Sequence, residues 1–169
     1  MTLIATPGGA TSNSFCSVAD AFTLLGTELD TEDWTEASTI DQERALITAT
    51  RLIVEQAVWK SDPTTDTQAL PWPQEDATDR YGRAIADTVV PTDVKRATAL
   101  YAVALLVQMP VGDLTLLAQL DQLWVGDMRV NFRAQLPVSL TTAMPASVQA
   151  LLAPYLVFRS TIQLRVVRG

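Results

Sequence analysis

Groups able to move protons, attack carbonyls or hold metals are scarce in this sequence, and that scarcity is the first constraint on its chemistry. There is no histidine, which removes imidazole-based triads and dyads, His-ligated metal sites and charge switching near neutral pH. Cys16 is the sole cysteine, so neither an intramolecular disulfide nor a Cys-based zinc cluster is available. Its sequence neighbours offer no cation to stabilise a thiolate, and it reads as a small apolar residue near a helix start. The remaining acid–base material is carboxylate: Glu32, Asp33 and Glu36 in one group, Glu75, Asp76 and Asp79 in another. A hard cation would suit such groups, but neither has a Gly-punctuated ligand loop or an adjacent nucleophile, and both read as solvated surface. Gly8-Gly9 has no Lys-Ser/Thr after it, so no phosphate-cradling loop is present. These residues predict a protein that is not an enzyme and uses no metal and no cofactor.

Phosphate recognition needs a basic face, because contacts to phosphate supply most of the affinity for nucleic acid. The 12 Lys and Arg residues are scattered. Lys95-Arg96 is the one doublet, on a stretch whose other positions read as core. Trp72, Tyr81 and Phe132 carry rings able to stack on bases, yet Trp72, held between Pro71 and Pro73, reads as a rigid core plug. Tight nucleic-acid binding by a lone subunit is not expected from these residues.

The chain has 169 residues, with 12 basic against 19 acidic, for a formal net charge of -7. That length predicts one domain with a sizeable core. Apolar residues make up 48% and charged ones only 18%, below the usual ~25%, and mean hydropathy is +0.16. The apolar excess predicts contact with other chains. Residues 1–40 carry six acids and no Lys or Arg, while Asp127 is the last acid and Arg129, Arg133, Arg159, Arg165 and Arg168 follow it. Such polarity suits a subunit that meets different surfaces at its two ends. The first basic residue is Arg44, which argues against a secretory signal, and no apolar run approaches the ~18 residues of a membrane span. A cytosol-like location without membrane contact is expected.

The spacing of apolar residues predicts a mainly α fold, a bundle of four to five helices. Ser17 caps a first helix over Val18–Leu25, with Asp20 completing an approximate capping box and Gly26 as the stop. Residues 27–38 read as an acidic loop or short turn anchored by Trp34. A second helix runs from Thr39 to about Trp59 with its apolar side chains on one face. Pro63, Pro71 and Pro73 break up residues 60–90. A third helix takes Pro91 near its first turn and runs to a stop before Pro110. It is apolar nearly all round, which suits the centre of a bundle or a face covered by a neighbouring subunit. Leu114–Trp124 reads as a fourth helix. The period then changes to two, with Met128, Val130 and Phe132 on one side of a short β element near 127–133. A lone strand is unstable, so these three residues are candidates for contact between subunits. A last helix begins near Pro145.

Leu46, Ile53, Trp59, Trp72, Val94, Tyr101, Leu105 and Leu152 are the expected core. Residues 1–156 are expected to form one domain, and 157–169 an extended C-terminal arm that alternates again, its reach roughly 40 Å at about 3.3 Å per residue.

Several segments, in order, resemble a known family: Asn13-Ser14-Phe15 with Ser17-Val18-Ala19-Asp20-Ala21; Ala45-Leu46-Ile47 with Ala49-Thr50; Trp59-Lys60; Gln68-Ala69-Leu70-Pro71-Trp72-Pro73; Val90-Pro91 with Val94-Lys95-Arg96-Ala97-Thr98; and Leu151-Leu152-Ala153-Pro154-Tyr155 with a terminal Val167-Arg168-Gly169. They resemble the small head-to-tail connector, or adaptor, proteins of tailed bacteriophages. The resemblance implies a structural virion protein, assembled in the host bacterial cytoplasm, that forms a ring of copies of itself under the portal, usually a dodecamer. By the same resemblance the ring extends the DNA channel, lets double-stranded DNA pass without specific binding, and offers a surface to a tail-completion or tail-terminator protein. It also implies that the arm binds the portal protein through Val157, Phe158, Arg159, Ile162, Leu164, Arg165, Val166, Val167 and Arg168. Some relatives carry a label borrowed from a primosomal single-stranded-DNA-binding protein. The alternative function is therefore a single-stranded nucleic-acid-binding module in phage DNA metabolism, which the charge argument disfavours.

Overall fold

In the computed structural model, which describes residues 2–29, 31–108, 122–125, 128–131 and 144–157, the first helix starts where side chains can satisfy its orphan amides. The Ser17 hydroxyl accepts from the Asp20 amide at 3.1 Å, and the Asp20 carboxylate accepts from the Ser17 amide at 3.4 Å. This closed capping box opens α1 (Val18–Leu25), and Gly26 caps its end.

Residues expected as a loop contain a short helix, α2 (Glu32–Glu36). Glu32 and Asp33 favour the positive end of its dipole, and the buried Trp34 pins it, edge-on to Phe22 at a centroid distance of 6.0 Å. The buried Gln42 amide donates to the Trp34 carbonyl at 2.7 Å, tying α2 to α3 (Thr39–Gln56), which Ser38 caps. That helix stops short of Trp59 because the next residues pair elsewhere: Lys60 N–H donates to Tyr155 O at 3.0 Å and Val157 N–H to Val58 O at 2.8 Å.

Pro91 immediately precedes α4 (Thr92–Gln108), and its carbonyl accepts from Val94 and Lys95. Val94, Ala97, Thr98, Ala99, Tyr101, Ala102 and Val103 are all buried. The reason is position: α4 packs against α1, α2, α3 and the last helix, α5 (Ala146–Leu152). Most of the apolar girth of α4 is thus covered by its own chain, with Leu100, Leu105 and Leu106 half-buried and Val107 exposed. A 3-10 turn, Ala153–Tyr155, follows α5. The described residues hold five α-helices, the mainly helical architecture read from the apolar spacing.

Two strands, β1 (Gln122–Val125) and β2 (Met128–Asn131), pair antiparallel with Val125 opposite Met128. The helix expected over Leu114–Trp124 is therefore corrected at 122–124, and its earlier residues lie outside the described ones. Leu123-Trp124-Val125 is β-prone, and a two-residue Gly126-Asp127 connection is the type that hairpins favour. The strand at Met128 and Val130 consequently has a partner in its own chain. Phe132 lies outside the described residues.

Among the expected core residues, Leu46, Ile53, Trp72, Val94, Tyr101 and Leu152 are at most 1% exposed, while Trp59 and Leu105 pack half-buried against them. Four rings join edge to face across the irregular 60–90 region: Phe15 to Trp59 at 6.3 Å, Trp59 to Trp72 at 5.9 Å and Trp72 to Tyr155 at 5.4 Å. Such pairs add to area burial. They give a proline-rich segment a fixed path and place residues 75–87 beside Tyr155.

Candidate functional site

A single carboxylate organises the most exposed aromatic of that segment. Asp79 Oδ1 accepts from the amides of Tyr81 at 2.8 Å and Arg83 at 3.0 Å, and its Oδ2 receives the Arg83 Nε at 2.7 Å. These bonds fold residues 79–83 into a tight tip on a short antiparallel bridge, Thr78 opposite Ala84. Gly82 sits at φ 77°, a conformation glycine adopts without penalty. Hydrogen bonding by the Arg83 amide, with the Arg83 guanidinium and Tyr81 amide adding, holds the Asp79 carboxyl below its ordinary value despite partial desolvation.

The result is a presented ring. Tyr81 is 76% exposed, and the Arg83 guanidinium lies over one face, 5.1 Å from the centroid. Nothing lies within 4 Å of where a Gly82 Cβ would be, so the tip is open. Such an arrangement supplies an aromatic platform and a cation together.

Beneath the tip is an open cleft of about 490 Å³ lined by Asp79, Arg80, Tyr81, Arg83, Asp93 and Tyr155, among others. Arg80 donates to Asp93 Oδ2 at 3.3 Å, and the Tyr155 hydroxyl donates to the same oxygen at 3.4 Å. Burial, with the Asp93 charge beside it, pushes the Tyr155 phenol up to about 12. A second depression, of about 550 Å³, adjoins at Ile85 and is lined by Glu75, Asp76 and Asp87. Together they form a trench around 75–87.

Charge along the trench is acidic rather than basic, with Arg80 and Arg83 set among Glu75, Asp76, Asp79, Asp87 and Asp93. Arg80 pairs with Asp93 and Arg83 with Asp79. Elsewhere Arg44 faces Asp41, Arg51 faces Glu55 and Lys95 faces Asp20. Arg96 Nε is 2.8 Å from Glu28 Oε1 but off the N–H direction, so that contact is electrostatic, while its NH2 group donates to Thr27 at 2.9 Å.

The structure distributes the sequence candidates unevenly. Tyr81 stands at the trench, whereas Trp72 is buried behind it. Of the two carboxylate groups, Glu75, Asp76 and Asp79 line the trench, and Glu32, Asp33 and Glu36 form α2 away from it. The Lys95-Arg96 doublet is spent on α1 and the segment after it. Val157 is exposed, and the rest of the expected arm, Phe158 to Arg168, lies outside the described residues. Arg80, Arg83 and Asp93 had no part in the sequence reading, and Tyr155 entered it only within the Leu151–Tyr155 segment; the Asp79-to-Gly82 spacing is the turn signal that points to the two arginines.

The whole chain, residues 1–169, matches the model of a family described as "Putative DnaT-like ssDNA binding protein". No curated protein and no solved structure matches. This match corrects the expectation of a phage head-to-tail connector. The portal protein, the self-associated ring, the tail-completion partner and a channel passing double-stranded DNA without binding it are withdrawn with that expectation. The charge argument set that ligand class aside for want of a basic face and gave little weight to Tyr81 as a stacking ring.

Proposed function

We propose that this chain, which belongs to the DnaT-like ssDNA-binding family, is a single-stranded-DNA-binding module whose contact surface is the trench around residues 75–87. Family membership supports the ligand class, and the exposed Tyr81 ring under Arg83 carries the choice of surface. A base stacks on the ring face opposite the guanidinium. Stacking of this kind contributes about 1–3 kcal/mol per base and tolerates any sequence, because every base has a π-face. Arg80 and Arg83 keep donors beyond those used by their carboxylates, since a guanidinium has five N–H groups. They meet the backbone phosphates.

Acidic neighbours set the character of the binding. With about two phosphates neutralised by Arg80 and Arg83, log K should fall with log salt at a slope near -1.4 for single strands, steeper by about 0.7 for any further phosphate contact, and still much shallower than for a basic groove. The test is fluorescence anisotropy of a labelled dT oligonucleotide over a salt series. Saturable binding with a shallow slope is expected, and its absence up to about 100 µM protein at low salt, the weak end of non-specific binding, would overturn the reading.

A further inference from the structure

Behind Tyr155 is a small pocket of about 90 Å³ whose lining includes Lys60, Ser61, Gln74, Thr78 and Tyr155. It shares Tyr155 with the Tyr81 cleft and Thr78 with the adjoining depression. Gln74 is only 1% exposed, and its Nε2 has no hydrogen-bond partner among the described residues. A buried amide N–H without an acceptor carries its desolvation cost uncompensated, and native folds leave few such groups without a water, ion or ligand. Lys60 Nζ donates to Pro154 O at 2.6 Å at the same pocket, which leaves ammonium donors for a second acceptor. Ser61 and Thr78 add hydroxyls. Unlike the two larger depressions, this pocket has no carboxylate among its lining residues. One water needs about 10–15 Å³ of such space, so the pocket has room for several waters or one tetrahedral oxyanion.

The geometry points to a phosphate-binding pocket formed by Lys60, Gln74, Ser61 and Thr78, occupied by a backbone phosphate of the strand that stacks on Tyr81. The pocket rests on its own donors. Only the source of the phosphate rests on the single-stranded-DNA reading. A cationic ammonium and an amide donor together recognise an oxyanion by charge-assisted hydrogen bonds.

Calorimetric titration of the full chain with inorganic phosphate, in a phosphate-free buffer and against chloride at equal ionic strength, tests the pocket. Saturable phosphate binding is expected, together with a shift of the Gln74 side-chain amide resonances. Lys60→Met should weaken it at least tenfold, and Gln74→Glu should abolish it by placing a carboxylate in the pocket. Should Gln74→Glu not fold, Lys60→Met alone decides, since its side chain is exposed. No phosphate-dependent heat, or a heat unchanged in Lys60→Met, overturns the pocket and leaves waters as its occupants. A second arm adds phosphate to the dT oligonucleotide complex. Displacement in the wild type that weakens in Lys60→Met supports a backbone phosphate, and phosphate binding without displacement overturns that source. Failure of the oligonucleotide to bind at all, with phosphate still bound, would instead count against the single-stranded-DNA reading.

Discussion

Lys95 of α4 donates to Asp20 of α1 at 3.2 Å, so the carboxylate that closes the capping box of one helix is also the counter-ion of another. Burial alone would push the Asp20 carboxyl up. The Lys95 hydrogen bond and charge, with the Ser17 amide and hydroxyl, overcome it and hold the carboxyl below its ordinary value. A depressed carboxyl stabilises the fold fully above the unfolded pKa near 3.8, and that contribution is lost as pH falls through the lower folded value.

Asp20→Ala removes both bonds and should cost about 1–2 kcal/mol, the range of a lost helix cap. Lys95→Met removes only the partly exposed pair and should cost under about 1 kcal/mol. Urea unfolding of the two variants checks the order. Equal losses would move the weight from the cap to the pair.

Trp72 touches both Trp59 and Tyr155 edge to face and is 1% exposed. Trp72→Ala should cost about 3–5 kcal/mol by opening a cavity between them. Trp72→Phe keeps a ring there and should cost less. Thermal unfolding followed by calorimetry measures both, and a loss under about 1 kcal/mol for Trp72→Ala would show that the ring chain does not hold the 60–90 path.

Local signals explain which parts of the fold could be read from the sequence. Ser17 with Asp20, and the 3.6-residue spacing from Ala45 to Ile53, are written within one or two turns, and the helices there follow. The end of α3 was not legible, because Lys60 pairs with Tyr155 from the far end of the chain. Likewise the Leu123-Trp124-Val125 run suits helix or strand until its pairing with Met128 to Val130 is known. The site divides the same way. Tyr81 was visible as a stacking ring, but its presentation depends on Asp79 bonding two and four residues onward, and its cleft depends on Asp93 and Tyr155 meeting across 62 positions.

Cys16 is buried, and burial pushes its thiol from 9.0 up to about 12, with the Asp20 charge adding and Lys95 opposing. An unfolded chain releases this proton earlier, so stability is complete below pH 9 and falls as pH rises toward 12. The loss available from this group is on the order of 4 kcal/mol. Tyr155, pushed from 10.0 to about 12, acts in the same direction at higher pH. Cys16→Ala should flatten the alkaline limb of a stability-versus-pH curve between pH 9 and 10, leaving the Tyr155 part. An unaltered limb would mean the thiol ionises without unfolding the protein.

Tyr81 is the residue on which the proposed contact surface turns, and its exposure separates binding from folding. With the ring 76% exposed and its neighbours held by Asp79 rather than by the ring, Tyr81→Ala should leave the melting temperature within about two degrees, as expected of a surface change under 0.5 kcal/mol. Affinity for a dT oligonucleotide should nonetheless fall by about 5- to 150-fold, the equivalent of one lost base stack. Tyr81→Phe keeps the π-face and should bind within about twofold of the wild type. Arg83→Gln should weaken binding and also reduce the salt slope by about 0.7, one phosphate contact fewer, whereas Tyr81→Ala should leave that slope unchanged. Anisotropy titrations at two salt concentrations distinguish the two effects. If Tyr81→Ala binds as the wild type does, the base does not stack at the tip, and the contact surface lies elsewhere on the chain.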